Sequence, residues 1–254
     1  MAWNPDHYLA FGDHRLRPAV DLLDKVALAA PAAIDDLGCG AGNVTRLLAQ
    51  RWPGAAITAI DNSPDMLARA RQEQLDVAWI EADIAAYAPE RSADLVFSNA
   101  ALQWLGDHRR LFPHLLTTMA PGGVLAVQMP RNHATPSQTL IGDVARAGPW
   151  REKLAPVLPR VAASEPAFYY ELLARMAARL DIWETEYLHV LDGDDPVVAW
   201  TSSTSLRPVL DALAAGEREA FLAEYTARVR DAYPPRPNGQ TLFGFRRLFI
   251  VATR

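Results

Sequence analysis

Five short apolar runs divide the first half of the chain and predict the strands of a sheet. They cover residues 33–37, 55–60, 77–80, 94–97 and 124–128. Between them lie segments whose apolar residues recur every three or four positions, which is the spacing of an amphipathic helix. Strands that alternate with helices in this way pair in parallel through right-handed crossovers. The pattern therefore predicts an α/β fold with a doubly wound sheet.

Beyond residue 129 the pattern changes, because frequent prolines interrupt a largely helical stretch. Residues 165–180 carry an apolar stripe at helical spacing and predict one long helix. Residues 182–190 alternate between apolar and polar side chains, as a half-exposed strand does, and residues 247–252 form a further apolar run. Between these two strands we expect a second helical insertion, over residues 195–237.

These patterns predict four parts along the chain. Residues 1–30 form a helical N-terminal segment that either folds over a pocket as a lid or packs on the sheet edge. Residues 31–129 form the core, and residues 130–180 form a helical cap insertion. Residues 181–254 supply the C-terminal strands with their helical insertion and belong to the same domain as the core.

A glycine-rich turn follows the first predicted strand. Asp36 precedes Gly38, Gly40 and Gly42, in the order D-L-G-C-G-A-G-N, and a helical segment follows. Glycines at alternate positions permit backbone conformations that a Cβ forbids, and they leave room for a ligand against main-chain N–H groups. The spacing G-x-G-x-G differs from the dinucleotide fingerprint G-x-G-x-x-G.

Polar side chains also stand at the ends of the next three strands, as Asp61, Asp83 and Asn99. In an open parallel sheet, ligands bind beyond the carboxyl ends of the strands, where the strand order reverses. Asp61 follows the glycine turn at close to the ~20-residue gap expected for an acid that accepts from ribose hydroxyls. The sequence therefore predicts a nucleoside-binding pocket at this edge.

Composition narrows the function further. The chain has 254 residues, one cysteine and a formal net charge of −5. Cys39 alone can form neither an internal disulfide nor a cysteine-built metal cage, and it fits a reducing compartment. The charges are interspersed, without the basic stripe that a nucleic acid would select. We expect a soluble, cytoplasmic, monomeric protein without a membrane span, which binds no nucleic acid and acts on a small-molecule polycarboxylate.

The glycine turn and its acid resemble motif I of the class I S-adenosylmethionine-dependent methyltransferases. This resemblance implies S-adenosylmethionine as the cofactor and a Rossmann-like, seven-stranded, mostly parallel sheet with an antiparallel C-terminal hairpin. A dinucleotide-dependent dehydrogenase opens with similar geometry. A pyrophosphate has no use for an acid before the turn, whereas S-adenosylmethionine carries an ammonium group and a sulfonium. The expected cofactor-binding residues are Asp36, Gly38, Gly40, Gly42, Asn43, Asp61, Asn62, Met66, Asp83, Ile84, Asn99, Gln103 and Trp104.

Further motifs, spread over nearly the whole chain, resemble the trans-aconitate 2-methyltransferase family. They include W-N-P-x-x-Y-L-x-F at 3–11, R-x-R-P-A-V at 15–20, N-A-x-L-Q-W-L at 99–105, V-L-A-V-Q-M-P at 124–130 and R-L-F-I-V-A at 247–252. The resemblance implies methyl transfer to one carboxylate of trans-aconitate, giving a monomethyl ester and S-adenosylhomocysteine. Alanine stands at position 41, where proline is often found in the family, which leaves the turn less rigid.

Ester formation of this kind needs no general base, because a carboxylate is already ionised at neutral pH. We therefore expect no catalytic residue and no metal, only groups that position the reactants. The scattered histidines, among them His7, His108 and His133, are weak candidates for a base. A trianionic acceptor needs cationic clamps, and arginine matches carboxylates in bidentate fashion. The expected substrate-binding residues are Tyr8, Arg15, Arg17, Arg131, Arg207 and Arg246.

Two alternatives stay open on the sequence. One is a methyltransferase for another small carboxylic acid, such as a malonyl thioester. The other is a non-catalytic S-adenosylmethionine-binding protein that uses its cap to hold a partner, since a base-free transferase has no single residue whose presence proves catalysis.

Overall fold

A computed structural model describes residues 12–158 and 163–254 of the chain. By their internal contacts the residues fall into two units. The larger unit contains Arg15–Pro130, Ala162–Thr185 and Arg247–Arg254. The smaller unit is formed mainly by Arg131–Val161 and Glu186–Arg246.

Helices and strands alternate through the first half of the chain, as the apolar runs predict. In chain order the elements are α1 (Gly12–Leu23), β1 (Ala33–Leu37), α2 (Asn43–Arg51), β2 (Ala56–Asp61), α3 (Pro64–Ala70), β3 (Val77–Glu81), β4 (Ala93–Asn99), α4 (His108–Thr117), β5 (Met119–Pro130), α5 (Pro136–Ala147), α6 (Arg151–Leu154), α7 (Pro166–Leu173), β6 (Arg179–Leu191), α8 (Pro196–Ser202), α9 (Arg207–Ala212), α10 (Ala215–Ala232) and β7 (Thr241–Thr253).

The strands form a seven-stranded sheet in the order β3-β2-β1-β4-β5-β7-β6. Strands β1 to β5 pair in parallel, and β7 pairs antiparallel with β5. The predicted doubly wound fold with antiparallel C-terminal strands is therefore confirmed. The strand order reverses between β1 and β4, because β2 and β3 follow β1 on one side and β4 and β5 lie on the other. The carboxyl ends of β1 and β4 consequently open the crevice in which such sheets bind ligands.

The larger unit has its main core on the face of the sheet that α4 and α7 cover. Val96, Leu125 and Ile250 project from three neighbouring strands into one apolar cluster. Phe112 of α4 and Tyr169 of α7 join this cluster, with ring centroids 4.8 Å apart. The core follows from the near-continuous apolar strands, since a parallel sheet is buried on both faces.

A chain of hydrogen bonds runs through this core. His108 Nε2 lies 2.9 Å from the carbonyl oxygen of Leu102, and His108 Nδ1 lies 2.7 Å from the Tyr169 hydroxyl. The Tyr169 hydroxyl oxygen also accepts from the backbone N–H of Ser164 at 3.0 Å. The chain ties the short 3₁₀ turn after β4 to α4 and α7.

The smaller unit has an apolar core of its own. Trp200, Phe221 and Phe243 are buried together there with side chains from α5 and α9. The Tyr225 hydroxyl, buried in the same cluster, donates to the carbonyl oxygen of Ser137 at 2.8 Å and lies 3.2 Å from Thr201 Oγ1. The predicted helical insertion after the sixth strand is present as three helices, α8 to α10.

The long helix predicted over 165–180 is wrong in its second half. Helix α7 ends at Leu173, and β6 begins at Arg179. The N–H of Ala178 donates to the carbonyl oxygen of Thr253 at 2.8 Å, which places this segment beside the last strand. Past Leu173, Ala177 and Leu180 still pack against the core from non-helical backbone, whereas Met176 is exposed.

Within the described ranges, none of the helices is both long and apolar enough to cross a membrane.

Replacing Tyr225 by phenylalanine should destabilise the smaller unit. The change leaves the buried carbonyl oxygen of Ser137 without its tyrosine donor, and such a loss costs roughly 1–2 kcal/mol. Urea unfolding followed by tryptophan fluorescence measures the change, since Trp200 and Trp150 lie in the same cluster. Tyr233→Phe is the matched comparison, because the Tyr233 hydroxyl contacts Ser137 from a less buried position and should contribute less. Equal stability of Tyr225→Phe and the wild type would contradict the expectation.

Candidate functional site

The glycine turn begins where β1 ends, and the end of β2 holds it in place. The N–H groups of Gly38 and Cys39 both donate to the carbonyl oxygen of Ile60, at 2.8 and 3.0 Å. Gly38, Gly40 and Gly42 all have positive φ, at 77°, 53° and 84°. Only glycine adopts this left-handed backbone without strain. The alternating glycines are therefore needed for the backbone conformation of the turn, and not only to leave room beside it.

Gly38 also marks a close approach between two loops. A Cβ built on Gly38 would overlap the Cβ of Ala101, in the loop that follows β4, and would lie 3.5 Å from Ile84 Cδ1. On the other side of the turn, a Cβ on Gly42 would lie 2.9 Å from the ring of Trp79. The turn after β1, the segment after β3 and the loop after β4 consequently meet at Gly38.

Asp36 is a buried acid directly under the turn. Its carboxylate is 1% exposed and accepts a hydrogen bond from Thr45 Oγ1 at 2.6 Å. Burial raises the pKa of Asp36 to about 7, the Thr45 hydrogen bond opposes the rise, and the negative charge of Asp61 adds to it. A positively charged group bound at this point would favour the ionised form of the buried Asp36 carboxyl group.

Asp61 holds the turn and still has acceptor capacity. One carboxylate oxygen accepts from the N–H of Gly40 and the other from the N–H of Ser63, each at 2.9 Å. A carboxylate oxygen can accept more than one hydrogen bond, so both oxygens could also accept from a vicinal diol. Asn62 follows directly and is exposed, and Met66 lies in the first turn of α3, whose N-cap is Ser63.

The segment after β3 presents Asp83 and Ile84. Asp83 caps a 3₁₀ turn by accepting from the N–H of Ala85 at 2.9 Å, and Ile84 is buried against the glycine turn. The far end of this segment is fixed by the Tyr87 hydroxyl, which donates to the buried carboxylate of Asp35. The apolar Ile84 and the exposed acid of Asp83 suit the face and the amino edge of a purine.

The loop after β4 contributes two buried acceptor atoms. Asn99 Oδ1 and Gln103 Oε1 are buried and have no hydrogen-bond partner among residues 12–158 and 163–254. Gln103 Nε2 donates to the carbonyl oxygen of Ala100 at 2.7 Å, and Ala100 itself has a φ of 55°. Trp104, next in the chain, is 65% exposed. A buried acceptor without a donor is costly, so this loop is shaped for a ligand that brings N–H or O–H groups.

These observations fit the cofactor that motif I implies. Acceptors predominate, as Asp36, Asp61, Asn99 Oδ1 and Gln103 Oε1, and they match an ammonium group, a sulfonium and ribose hydroxyls. All thirteen predicted cofactor residues lie in the larger unit on β1, β2 and β4 or in the segments that follow β1 to β4, and their roles stay predictions.

The predicted substrate residues are distributed over both units. Tyr8 lies outside the described residues, and of Arg15 the structure describes the backbone, in α1. Arg17, also in α1, has a side chain 3.9 Å from Asp21 and is largely exposed.

Three predicted clamps belong to the smaller unit. Arg131 is half-buried, and its N–H donates to the carbonyl oxygen of Arg246 at 2.9 Å. Arg207 pairs with Asp211 at 3.3 Å, and Arg246 lies 3.8 Å from Glu186 with 48% of its side chain exposed. Arg207 and Arg246 thus have acidic neighbours of their own, and the clamping role of all three stays a prediction.

Three residues at the site escaped the sequence reasoning. Thr45 lies in the first turn of α2, where nothing in the sequence links it to Asp36. Gln128 is fully buried at the end of β5, and Arg247 is 3% exposed and donates to Gln128 Oε1 at 3.3 Å. A glutamine inside the apolar run V-L-A-V-Q-M is a signal that could have been used, since it places a polar residue at a fifth strand end.

Among the residues that the structure describes, no group of three His, Cys, Asp or Glu side chains could hold a metal ion.

Comparison with known proteins identifies the family. A family model described as a methyltransferase domain matches residues 34–123. The trans-aconitate 2-methyltransferase of Azoarcus sp. (strain BH72) is 47% identical over 252 residues, which is 99% of each chain. The enzyme of the same name from Acidovorax ebreus (strain TPSY) is 48% identical over 253 residues, 99% of this chain and 98% of its own. The chain belongs to the trans-aconitate 2-methyltransferase family.

Solved structures of low sequence identity share the fold of this family member. Phosphoethanolamine N-methyltransferase 2 of Haemonchus contortus, in complex with S-adenosyl-L-methionine, superposes with a TM-score of 0.57 at 15% identity, over 94% of this chain and 52% of its own. The YcgJ protein of a Bacillus species gives a TM-score of 0.59 at 14% identity, over 95% and 98% of the two chains. Family membership makes this chain a methyltransferase, and the dehydrogenase alternative is set aside.

Replacing Asp36 by asparagine should weaken cofactor binding and stabilise the free protein. The folded-state pKa lies above the ordinary value of 3.8, so ionising Asp36 destabilises the fold as the pH rises towards about 7. Asparagine removes that penalty, by up to about 4 kcal/mol at pH 8. It also removes the negative charge that would face the cofactor's ammonium group.

Calorimetric titration with S-adenosylhomocysteine, from pH 6 to 8.5, measures the cofactor effect. In the wild type the affinity should fall below pH 7, because binding must then expel a proton from Asp36. Asp36→Asn should bind more weakly and without this pH dependence. An unchanged pH profile in the variant would show that another group carries the proton.

Replacing Gly38 by alanine should destabilise the fold and prevent cofactor binding. The new Cβ meets Ala101 and forces a strained φ, for a combined loss of about 2–4 kcal/mol. Gly40→Ala is the matched comparison, because its φ is also positive but no atom lies within 4 Å of the new Cβ. It should cost only about 1–2 kcal/mol. Thermal unfolding of the two variants measures the difference, and equal losses would contradict the close approach.

Proposed function

We propose that this protein transfers the methyl group of S-adenosylmethionine to one carboxylate of trans-aconitate. The products are a monomethyl ester of trans-aconitate and S-adenosylhomocysteine. One observation carries this proposal: the relatives of that name are 44–48% identical along essentially the whole chain, including the segments outside the methyltransferase core. A substrate-binding cap of unrelated specificity would have diverged far more than the shared core.

The chemistry fits the groups that the site supplies. The acceptor carboxylate has a pKa of about 4 and is ionised at neutral pH, so its oxygen attacks the methyl group without help from a base. One carbon–oxygen bond forms, one carbon–sulfur bond breaks, and the electron pair remains on sulfur. The protein has to align the two reactants and exclude water, and such positioning contributes roughly 7–11 kcal/mol to lowering the barrier.

The chain's own residues divide into two charge classes for this task. Asp36, Asp61 and the buried amide oxygens after β4 would hold the cationic cofactor. The arginines predicted from the sequence would hold the anionic acceptor, for which a bidentate fork is the best match. Arg15, Arg17, Arg131, Arg207 and Arg246 remain the sequence-based candidates. We also propose that the protein acts in the cytoplasm as a monomer without a nucleic-acid partner, which its single cysteine and interspersed charges support.

An assay with methyl-labelled S-adenosylmethionine and a panel of acids tests the proposal. The panel contains trans-aconitate, its cis isomer, citrate, succinate and a malonyl thioester. Labelled methyl ester, recognised because base releases its label, should form from trans-aconitate. The kcat/KM for trans-aconitate should be at least tenfold above that for every other acid. Preference for a different acid would make this a methyltransferase of another small carboxylate. Cofactor binding without labelled ester from any acid would favour the non-catalytic alternative.

A further inference from the structure

We propose that Tyr87 and Asp35 are positioning residues for the purine of the methyl donor. The hydrogen bond between their side chains holds the segment 83–87 in the place where Asp83 meets the purine amino group. The inference starts from the predicted roles of Asp83 and Ile84, and it does not depend on which acid is methylated. All of these residues belong to the larger unit.

Residues 83–87 form a single hydrogen-bonded turn. The carbonyl oxygen of Asp83 accepts from the N–H of Ala86 at 3.0 Å. The carbonyl oxygen of Ile84 accepts from the N–H of Tyr87, also at 3.0 Å. Asp83 and Tyr87 stand at the two ends of this turn, so the position of one constrains the position of the other.

The strand that leads into this turn gives it little support. β3 is an edge strand of the sheet, and none of its five residues is buried. β1 lies two strands further in, roughly 10 Å away, and it leads directly into the glycine turn. The purine segment and the glycine turn must keep a fixed spacing to bind one ligand. A direct link from the segment to β1 maintains this spacing, which packing on β3 alone does not.

The link to β1 runs through a buried acid. Asp35 of β1 is 2% exposed, and its carboxylate accepts from the Tyr87 hydroxyl and lies 3.7 Å from Arg91 Nη2. A second contact fixes the backbone, because His114 Nε2 of α4 lies 2.7 Å from the carbonyl oxygen of Tyr87. A carbonyl oxygen only accepts, so the imidazole N–H is the donor. The end of the turn is thus held both from the sheet and from a helix.

Stability alone does not explain an acid at position 35. Burial raises the pKa of Asp35, and the Tyr87 hydrogen bond and the charge of Arg91 offset only part of that rise. Replacing both partners of a buried hydrogen bond by apolar groups of similar shape can be nearly neutral or even stabilising. An apolar pair would not supply a directional bond, and direction is what the turn needs to present one carboxylate to one amino group.

Calorimetric titration with two ligands tests the inference without a methyl acceptor. One ligand is S-adenosylhomocysteine, and the other is its analogue whose purine lacks the 6-amino group. In the wild type the analogue should bind about 10- to 100-fold more weakly, as expected for the loss of a hydrogen bond to a charged group. In Tyr87→Phe the two Kd values should lie within about threefold of each other, because Asp83 is no longer held at the amino group. A merely structural defect would weaken both ligands by the same factor and leave their ratio unchanged.

The double variant Asp35→Leu/Tyr87→Phe separates positioning from stability. It replaces both partners by apolar side chains, so urea unfolding should show a stability near that of the wild type while the ratio of Kd values still falls. Tyr225→Phe is the control, because it removes a buried hydroxyl from the core of the smaller unit. It should lose stability and yet keep the wild-type ratio.

A wild-type ratio of Kd values in both Tyr87→Phe and the double variant would overturn the inference. Equal binding of the two ligands by the wild type would also overturn it, since Asp83 then has no contact for Tyr87 to position. If neither variant folds, Asp35→Asn decides, because it turns a charge-assisted hydrogen bond into a neutral one and should lower the ratio. An unchanged ratio in Asp35→Asn would then overturn the inference. Failure to methylate trans-aconitate would refute the proposed function and leave these binding measurements unaffected.

Discussion

The contact between Gly38 and Ala101 is the constraint around which this site is built. The turn after β1 and the loop after β4 come so close that a single methyl group at position 38 has no space. Because β1 and β4 are adjacent strands, their carboxyl ends define the crevice, and this contact sets its floor. Gly38 N–H is directed to Ile60, so the same residue fixes the turn against β2 as well.

A buried acid lies directly before this turn, at the end of β1. The buried carboxylate of Asp36 is tolerated only at the cost of a raised pKa, and Thr45 offsets part of that cost. A fold that needed no cation here would be more stable with a neutral side chain. The acid is thus better explained by ligand binding than by stability.

Much of the fold could be predicted from the sequence because local signals coincide with the final structure. Apolar runs, the glycine turn and the serine–proline start of α3 each specify backbone within a few residues. The helix expected over 165–180 failed for the opposite reason. Its apolar stripe satisfies helical spacing, but pairing with a strand some 70 residues later turns its end into β6.

The strand-end residues of the candidate site could be located from the sequence, whereas the buried pair of Gln128 and Arg247 could not. Strand ends reveal Asp61, Asp83 and Asn99, because a chain can be searched for polar residues after apolar runs. Whether Arg246 or Arg247 is the buried arginine depends on the phase of β7 against β5, which no local pattern contains. Gln128 has its partner 119 residues away, and Thr45 bonds Asp36 across the glycine turn, so both pairs become visible only in three dimensions.

The hydrogen-bond chain through His108 has a consequence for proton transfer. A carbonyl oxygen can only accept, so Nε2 must carry the hydrogen that bonds to Leu102, and Nδ1 must then be the lone pair that receives the Tyr169 hydroxyl proton. Both nitrogens therefore bond neutral partners. Burial also lowers the pKa of His108, which disfavours the protonated form of the ring. The imidazole is locked into one tautomer and has no capacity left to relay protons, as suits an enzyme whose nucleophile arrives without one.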